Sequence, residues 1–140
     1  MALAPHLLHV FPTFVPAGAQ VRTVQLMNAL GAEFRHTVVG LDGRTSAMEL
    51  IQGRDVQVET LAVEPAGGPL GGQRGARAQL ARLRPDALLT YNWGAMDTVL
   101  AARAARFDRH VHHEDGFNAD ERDRPKARRN WTLSRMSPCR

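Results

Sequence analysis

The densest group of side chains that could carry chemistry lies between residues 110 and 115, where three histidines and two carboxylates follow one another. Side chains on a strand alternate between its two faces. One face would carry His110, His112 and Glu114, and the other Val111, His113 and Asp115. Histidine titrates near neutral pH and can act as a general base. We therefore expect a general-base or hydrogen-bonding role for His113 or a neighbour in this cluster, such as Glu114 or Asp115.

Two other interpretations of this cluster were weighed. A metal ion needs ligands that converge from several directions, and neighbouring residues on one strand do not supply them. We therefore expect no metal site. The other alternative is that these groups only satisfy backbone and solvent at the end of a strand.

A second candidate segment runs from residue 12 to residue 20, between the first strand and the first helix. Gly18 would let backbone approach a ligand closely, and the helix N-terminus at Gly18 and Ala19 would favour an anion such as a phosphate. The segment has neither a Gly-x-Gly-x-x-Gly fingerprint nor a Gly-Lys-Ser/Thr phosphate loop. A plain strand-to-helix turn is the equal alternative.

The third candidate segment is Tyr91, Asn92 and Trp93, which follows another strand. Two aromatic rings and an amide at a strand end could form a platform for a sugar. The alternative is that Tyr91 and Trp93 close the edge of the core.

The positive charge is concentrated at one end of the chain. Residues 1–102 contain eight basic and eight acidic residues, whereas residues 103–140 carry the whole net charge of +4. Basic and acidic residues alternate between positions 120 and 129, and no nucleic-acid-binding module is recognisable. We expect a solvated face and no nucleic-acid partner, and contact with a membrane surface stays open.

The 140 residues suffice for one domain with a core. No apolar stretch approaches the ~20 residues of a membrane span, and the N-terminus lacks the features of a signal peptide, so we expect a cytoplasmic protein. The single cysteine, Cys139, excludes a disulfide framework and a cysteine-based zinc cluster.

Apolar periodicity predicts alternating strands and helices along the chain. The expected strands are 7–11, 36–40, 56–63, 86–91 and 109–114, and the expected helices are 19–30, a short one from Ser46, 73–84, 94–106 and 125–135. This alternation predicts an α/β fold, a Rossmann-like parallel sheet with helices on both faces. Residues 1–117 would form that domain and residues 118–140 a basic, partly helical or disordered tail. Ligands of such sheets bind at the carboxyl ends of the strands.

Taken together, the segments resemble the glycosyltransferases of family 4, which have the GT-B fold. The resemblance runs from His9-Val10-Phe11-Pro12 through Gly18-Ala19-Gln20, and continues at Tyr91-Asn92-Trp93-Gly94 and at His112–Phe117. Arg128-Arg129-Asn130-Trp131 is similar to an Arg-rich helix of some members. Ala19 stands where a second glycine is common, and Gln20 where glutamate often occurs.

The resemblance implies the N-terminal, acceptor-side domain of an enzyme that transfers a sugar from a nucleotide-sugar to an acceptor hydroxyl, a transfer that in this family usually proceeds with retention. It places Gly18 and Ala19 near the donor phosphates, His113, Glu114 and Asp115 at the acceptor site, and Tyr91, Asn92 and Trp93 around the acceptor. The nucleotide-sugar is a co-substrate, and no separate cofactor is expected. The family's paired-glutamate motif and basic phosphate clamp are not found, so we expect a truncated chain that needs a separate donor-binding domain. A non-catalytic nucleotide- or sugar-binding module and a degenerate gene product are the alternatives.

Overall fold

The computed structural model describes residues 2–63, 67–116, 121–124 and 126–136. Phe117, at the end of one resemblance segment, lies outside these ranges. The strands are β1 (His6–Phe11), β2 (Arg35–Gly40), β3 (Gln57–Thr60), β4 (Ala87–Tyr91) and β5 (His110–His113), and the α-helices are α1 (Gly18–Leu30), α2 (Gly71–Leu83), α3 (Met96–Ala104) and α4 (Ala127–Met136). Short 3-10 segments occupy Gly31–Glu33, Ser46–Leu50 and Trp93–Ala95.

The five strands form one all-parallel sheet in the order β3-β2-β1-β4-β5. The predicted α/β class and parallel, Rossmann-like sheet are therefore confirmed. Because β1 lies between β2 and β4, the chain reverses direction across the sheet there. The loops after β1 and β4 consequently open side by side at the carboxyl edge, which is where such sheets bind ligands.

Helices cover both faces of the sheet, and each face has its own core. Alternation along β1 sends Phe11 to one face, where it packs with α1 through Val24 and Met27. Leu8 and Val10 point to the other face and pack with Leu80 of α2 and Ala102 of α3, among others. Alternate side chains of β1 therefore contribute to the cores on opposite faces of the sheet.

Several element boundaries differ from those that the sequence predicts. The segment after Thr45 is a 3-10 turn where the sequence predicts a short helix from Ser46, and no side-chain cap bond forms at its start. β3 is shorter than expected because it is an edge strand with mostly exposed residues. α2 begins at Gly71, two residues earlier than predicted. Gly72 lies against the Asp97 carboxylate of α3, where a Cβ would collide.

All six histidines of the sequence lie in the sheet. On one face, His9 bonds through Nδ1 to the Tyr91 hydroxyl (3.0 Å) and through Nε2 to His36 Nδ1 (3.0 Å). On the other face, Thr37 donates to the Glu59 carboxylate (2.9 Å), so its oxygen must accept from His6 Nε2 (2.8 Å). Burial is the main cause that lowers the pKa of His6 and His36, and it lowers the pKa of His9 to about 3. The sheet therefore packs around uncharged imidazoles.

These lowered pKa values predict that the fold weakens in mild acid. The unfolded chain takes up protons near the ordinary histidine value of 6.5, whereas the folded chain does so only at lower pH. Stability should be fully present above pH 6.5 and fall as the pH drops towards 4. Each such histidine contributes up to about 1.4 kcal/mol per pH unit. Urea unfolding between pH 4 and 8 measures the slope.

The matched variant is His9→Gln, which keeps hydrogen-bonding groups but does not titrate. Its free energy of unfolding should depend less steeply on pH between 6.5 and 4 than that of the wild type. Equal slopes in the two proteins would contradict the assignment of His9 as a buried neutral group.

Candidate functional site

The carboxyl edge of β4 is hydrogen-bonded to that of β5. The backbone N–H of Asn92 donates to the His113 carbonyl (2.7 Å), and its side-chain Oδ1 accepts from the backbone N–H of Asp115 (2.8 Å). The first of these bonds continues the pairing of Tyr91 with His113 beyond the ladder. The segments predicted to bind the acceptor and to carry catalysis are therefore adjacent.

Helix α1 is joined to the same edge by an ion pair. The Arg22 guanidinium donates to both carboxylate oxygens of Asp115, with a closest distance of 2.9 Å. The Arg22 side chain is half exposed, so solvent screening keeps its contribution to stability small. Its effect is geometric, because it fixes β5 relative to the first turns of α1, where Gly18 and Ala19 lie.

The N-terminus of α1 has the features of an anion site. The helix begins at Gly18, and in the described part of the chain no side chain caps it and no acidic residue occupies its first turn. Ala19 is buried as a whole residue, whereas Gly18 is exposed. Gln20 folds back to donate to the Thr13 carbonyl (2.8 Å) and braces the preceding loop. The unsatisfied N–H groups of the first turn are left to solvent or to an anion.

The three residues after β4 differ in what they can offer a ligand. Tyr91 is buried and stacks on Phe11, with ring centroids 3.7 Å apart, as the core-closing alternative expects. Trp93 is 40% exposed and meets Trp131 of α4 edge-on at 5.4 Å. Asn92 is only partly buried. An exposed aromatic ring at this edge is therefore supplied by Trp93.

Asn92 has a strained backbone. Its φ of 59° and ψ of 174° lie in a region that is essentially reserved for glycine. The strain is held by the two hydrogen bonds to β5 and by the Ala95 N–H, which donates to the Asn92 carbonyl (3.1 Å). Strain of this kind clusters at functional sites.

His113 lies on the face that carries α1, as strand alternation predicts. Its ring stacks on Tyr91 with centroids 4.7 Å apart and planes 8° from parallel. Burial is the largest cause that lowers its pKa, Arg22 lowers it further, and Asp115 raises it. His113 is therefore uncharged at neutral pH and able to accept a proton. Its Nδ1 is buried and has no hydrogen-bond partner among the described residues.

Glu114 points to the opposite face, away from His113. Its carboxylate accepts from His112 Nε2 (2.9 Å) and from Arg129 (2.8 Å). His112 Nδ1 and His110 Nε2 each form a hydrogen bond with the Thr90 hydroxyl (2.7 Å for both). Burial lowers the pKa of His110 to about 4. The result is a continuous hydrogen-bond chain from His110 to Glu114.

Arg129 of α4 joins the tail to this chain of hydrogen bonds, and the interpretation of the tail as a solvated face missed it. Arg122, Arg124 and Arg128 are exposed, as expected, but the Arg129 side chain is buried. It donates to Glu121 (2.6 Å), to Glu114 (2.8 Å) and to the carbonyls of Asp115 and Gly116. The available sequence signal was helical spacing, since Arg129 and the buried Thr132 lie three residues apart.

Removal of the Arg129 charge should release α4. Arg129→Met retains much of the side chain's bulk but removes the guanidinium that pairs with Glu114 and with Glu121, whose side chain is 2% exposed. Among the described residues, Glu121 then keeps only the longer ion pair with the partly exposed Lys126, at 3.4 Å. Amide hydrogen exchange in α4 should become much faster than in the wild type. The exposed neighbour supplies the control, since Arg128→Met should leave exchange unchanged. Equal amide protection of α4 in the two variants would contradict the role of Arg129 in holding α4.

The same ion pair gives α4 an acid dependence. Arg129 is the main cause that lowers the pKa of Glu121 from 4.5 to about 2. This contribution is complete above pH 4.5 and is lost as the pH falls towards 2. Loss of α4 protection over that interval should occur in the wild type, whereas in Arg129→Met protection should already be low at pH 5.

The strain at Asn92 predicts an unusual order of stability. Asn92→Ala keeps the unfavourable backbone and loses the bond to Asp115, whereas Asn92→Gly loses the bond but relieves the strain. Asn92→Gly should therefore be the more stable variant by about 1 kcal/mol. Urea unfolding of the two variants decides, and an alanine variant as stable as the glycine variant would refute the strain.

Among the described residues there is no group of three or more histidine, cysteine, aspartate or glutamate residues arranged to hold a metal ion. No helix in the described ranges is long and apolar enough to cross a membrane. Neither a scan against models of known protein families nor a search of the curated proteins finds a match to this chain. The site itself must therefore supply the argument for function.

Proposed function

We propose that this chain is the acceptor-side domain of a nucleotide-sugar-dependent glycosyltransferase, and that it works together with a separate donor-binding domain. One observation carries the proposal. Asn92, Asp115 and Arg22 link the segments after β4 and β5 to the first turns of α1. An uncapped helix N-terminus, an exposed tryptophan and a neutral histidine thereby belong to one edge of a parallel sheet.

Each part of this edge suits one part of glycosyl transfer. The developing charge on a leaving nucleotide diphosphate is stabilised by N–H groups at a helix N-terminus, which Gly18 and Ala19 supply. The Trp93 ring offers an apolar face to an acceptor sugar. His113 is uncharged and can take a proton from an acceptor hydroxyl, while Asp115 stabilises the imidazolium that forms.

Glu114 has a different part in this proposal. Its carboxylate is already bound by His112 and Arg129 on the face opposite His113. Glu114 therefore positions β5 and α4, and His113 and Asp115 remain as the groups that face the acceptor. The proposal requires neither nucleic acid nor a metal ion.

A non-catalytic nucleotide- or sugar-binding module is the second candidate. The observation that favours it is that Asp115 and Glu114 are both held in ion pairs with arginines. A carboxylate held in an ion pair can fix the positions of neighbouring segments without taking part in a reaction. The two candidates differ in nucleotide affinity, because a module must bind nucleotide on its own, whereas the acceptor-side domain needs its partner domain.

Amide chemical shifts of the ¹⁵N-labelled chain distinguish the candidates. Alkyl glycosides should shift the amides around Trp93 with millimolar affinity, and uridine diphosphate should shift Gly18 and Ala19 only weakly. Trp93→Ala should weaken glycoside binding about tenfold, because a truncated aromatic anchor costs more than about 1 kcal/mol. Leu3→Ala, which removes an 84% exposed side chain, is the matched control and should change nothing.

Three outcomes would count against the proposal. Micromolar binding of uridine diphosphate by the chain alone would favour the binding module. Glycoside shifts remote from Trp93 would remove the acceptor site. Robust turnover of a panel of nucleotide-sugars by the purified chain would contradict the need for a separate donor-binding domain.

A further inference from the structure

A cavity of about 150 Å³ lies between α1 and the sheet, on the face that carries His9, His36 and His113. Leu26 is 57% exposed and marks where the cavity reaches the surface. A protein cavity of this size can hold a molecule as large as benzene. Its lining surface is mostly apolar, and the apolar side chains include Leu7, Leu26, Met27, Leu30 and Leu89.

Two ring nitrogens of the lining residues have no hydrogen-bond partner among the residues that the structure describes. They are Nε2 of His36 and Nδ1 of His113, and both atoms are buried. A buried polar atom without a partner is costly, and nearly all such atoms in folded proteins are paired. The residues that line the cavity therefore include apolar side chains and two imidazoles that each have one buried nitrogen without a partner.

The charges around the cavity favour a neutral ligand. Burial is the largest cause that keeps the pKa of His36 and of His113 below the ordinary value, so neither ring offers a positive charge at neutral pH. Arg22 also lines the cavity, but its guanidinium is bound by both oxygens of Asp115. An anion would find no free positive charge among these residues.

The hydrogen-bond chain behind His36 decides which polar group fits best. If the Tyr91 hydroxyl donates to His9, then His9 donates to His36 Nδ1, and His36 Nε2 carries a hydrogen. If every bond in the chain reverses, His36 Nε2 becomes an acceptor. A hydroxyl group can both donate and accept, so it satisfies His36 in either arrangement.

We propose that this cavity binds a small neutral molecule that has an apolar ring or short chain and one hydroxyl group. The site goes beyond the proposed glycosyl transfer. It shares His113 and Tyr91 with that proposal, but neither the exposed ring of Trp93 nor the N-terminus of α1 lines it, so binding can be tested whether or not the chain transfers sugar. Phenol is the simplest probe, since it has the size, the neutral charge and the hydroxyl that the lining requires.

Phenol and benzene titrated into the ¹⁵N-labelled full chain at pH 7 test the proposal. Phenol should saturate the site and bind about five to ten times more tightly than benzene, because it adds one buried hydrogen bond. The ring-nitrogen resonances of His36 and His113 should shift with phenol and reach saturation together with the amides of α1.

Leu89→Phe and Val111→Phe form a matched pair of variants. The two positions are directly paired on β4 and β5, but Leu89 lines the cavity, whereas Val111 is 54% exposed and is not among the lining residues. Leu89→Phe fills part of the cavity and should weaken phenol binding at least about tenfold. Val111→Phe should leave it unchanged.

Equal affinity for benzene and phenol would overturn the proposed hydrogen bond. Phenol binding that survives Leu89→Phe would place the ligand elsewhere. An absence of saturable binding would mean that the cavity holds only water, and this also overturns the proposal. If Leu89→Phe does not fold, the wild-type affinity ratio and the histidine ring shifts decide alone. None of these outcomes depends on whether the chain takes part in sugar transfer.

Discussion

The structure depends on keeping its buried imidazoles uncharged. Six histidines lie on the strands of one small sheet, and an imidazolium in such an interior would cost several kilocalories per mole. Neutral rings can instead be linked by hydrogen bonds across strands, as His9 links β4 to β2 through Tyr91 and His36. These hydrogen bonds run between apolar side chains, so they join neighbouring strands in a specific way without burying a positive charge. The same requirement makes the fold sensitive to acid.

Charged groups that are buried lie at the periphery of the sheet and are fully paired. Arg129 provides the counter-charge for Glu114 and Glu121 and also caps two carbonyls that follow β5. Such a group is weak evidence for stability, since desolvation offsets much of the attraction, but it specifies one geometry. Its consequence is that α4 can dock in a single way. The tail thereby supports the edge that carries Trp93 and Asp115.

Sequence patterns predicted the fold better than the site. Apolar runs and alternation located all five strands and placed His113 and Glu114 on opposite faces, because a period of two is a local property of the chain. The close approach of Asp97 that requires glycine at position 72, and the hydrogen bonds with His113 and Asp115 that hold the strain at Asn92, join segments far apart in the chain. Neither relation is visible in a local window. The interpretation of the tail as a solvated face missed Arg129 for a similar reason. Charge alone does not distinguish the buried Arg129 from the exposed Arg128.

The two roles of the imidazoles make different demands on His113. A hydrogen-bonding ring in a cavity should remain neutral, whereas a general base must accept a proton during the reaction. Asp115 raises the pKa of His113 and Arg22 lowers it. Because Arg22 and Asp115 form an ion pair, their opposite effects on this pKa partly cancel. Any displacement of Arg22 leaves the carboxylate beside His113 uncompensated and raises that pKa. Burial is the largest cause of the lowered pKa, and the exposed ion pair, which adds little to stability, adjusts the basicity of the candidate catalytic histidine around the value that burial sets.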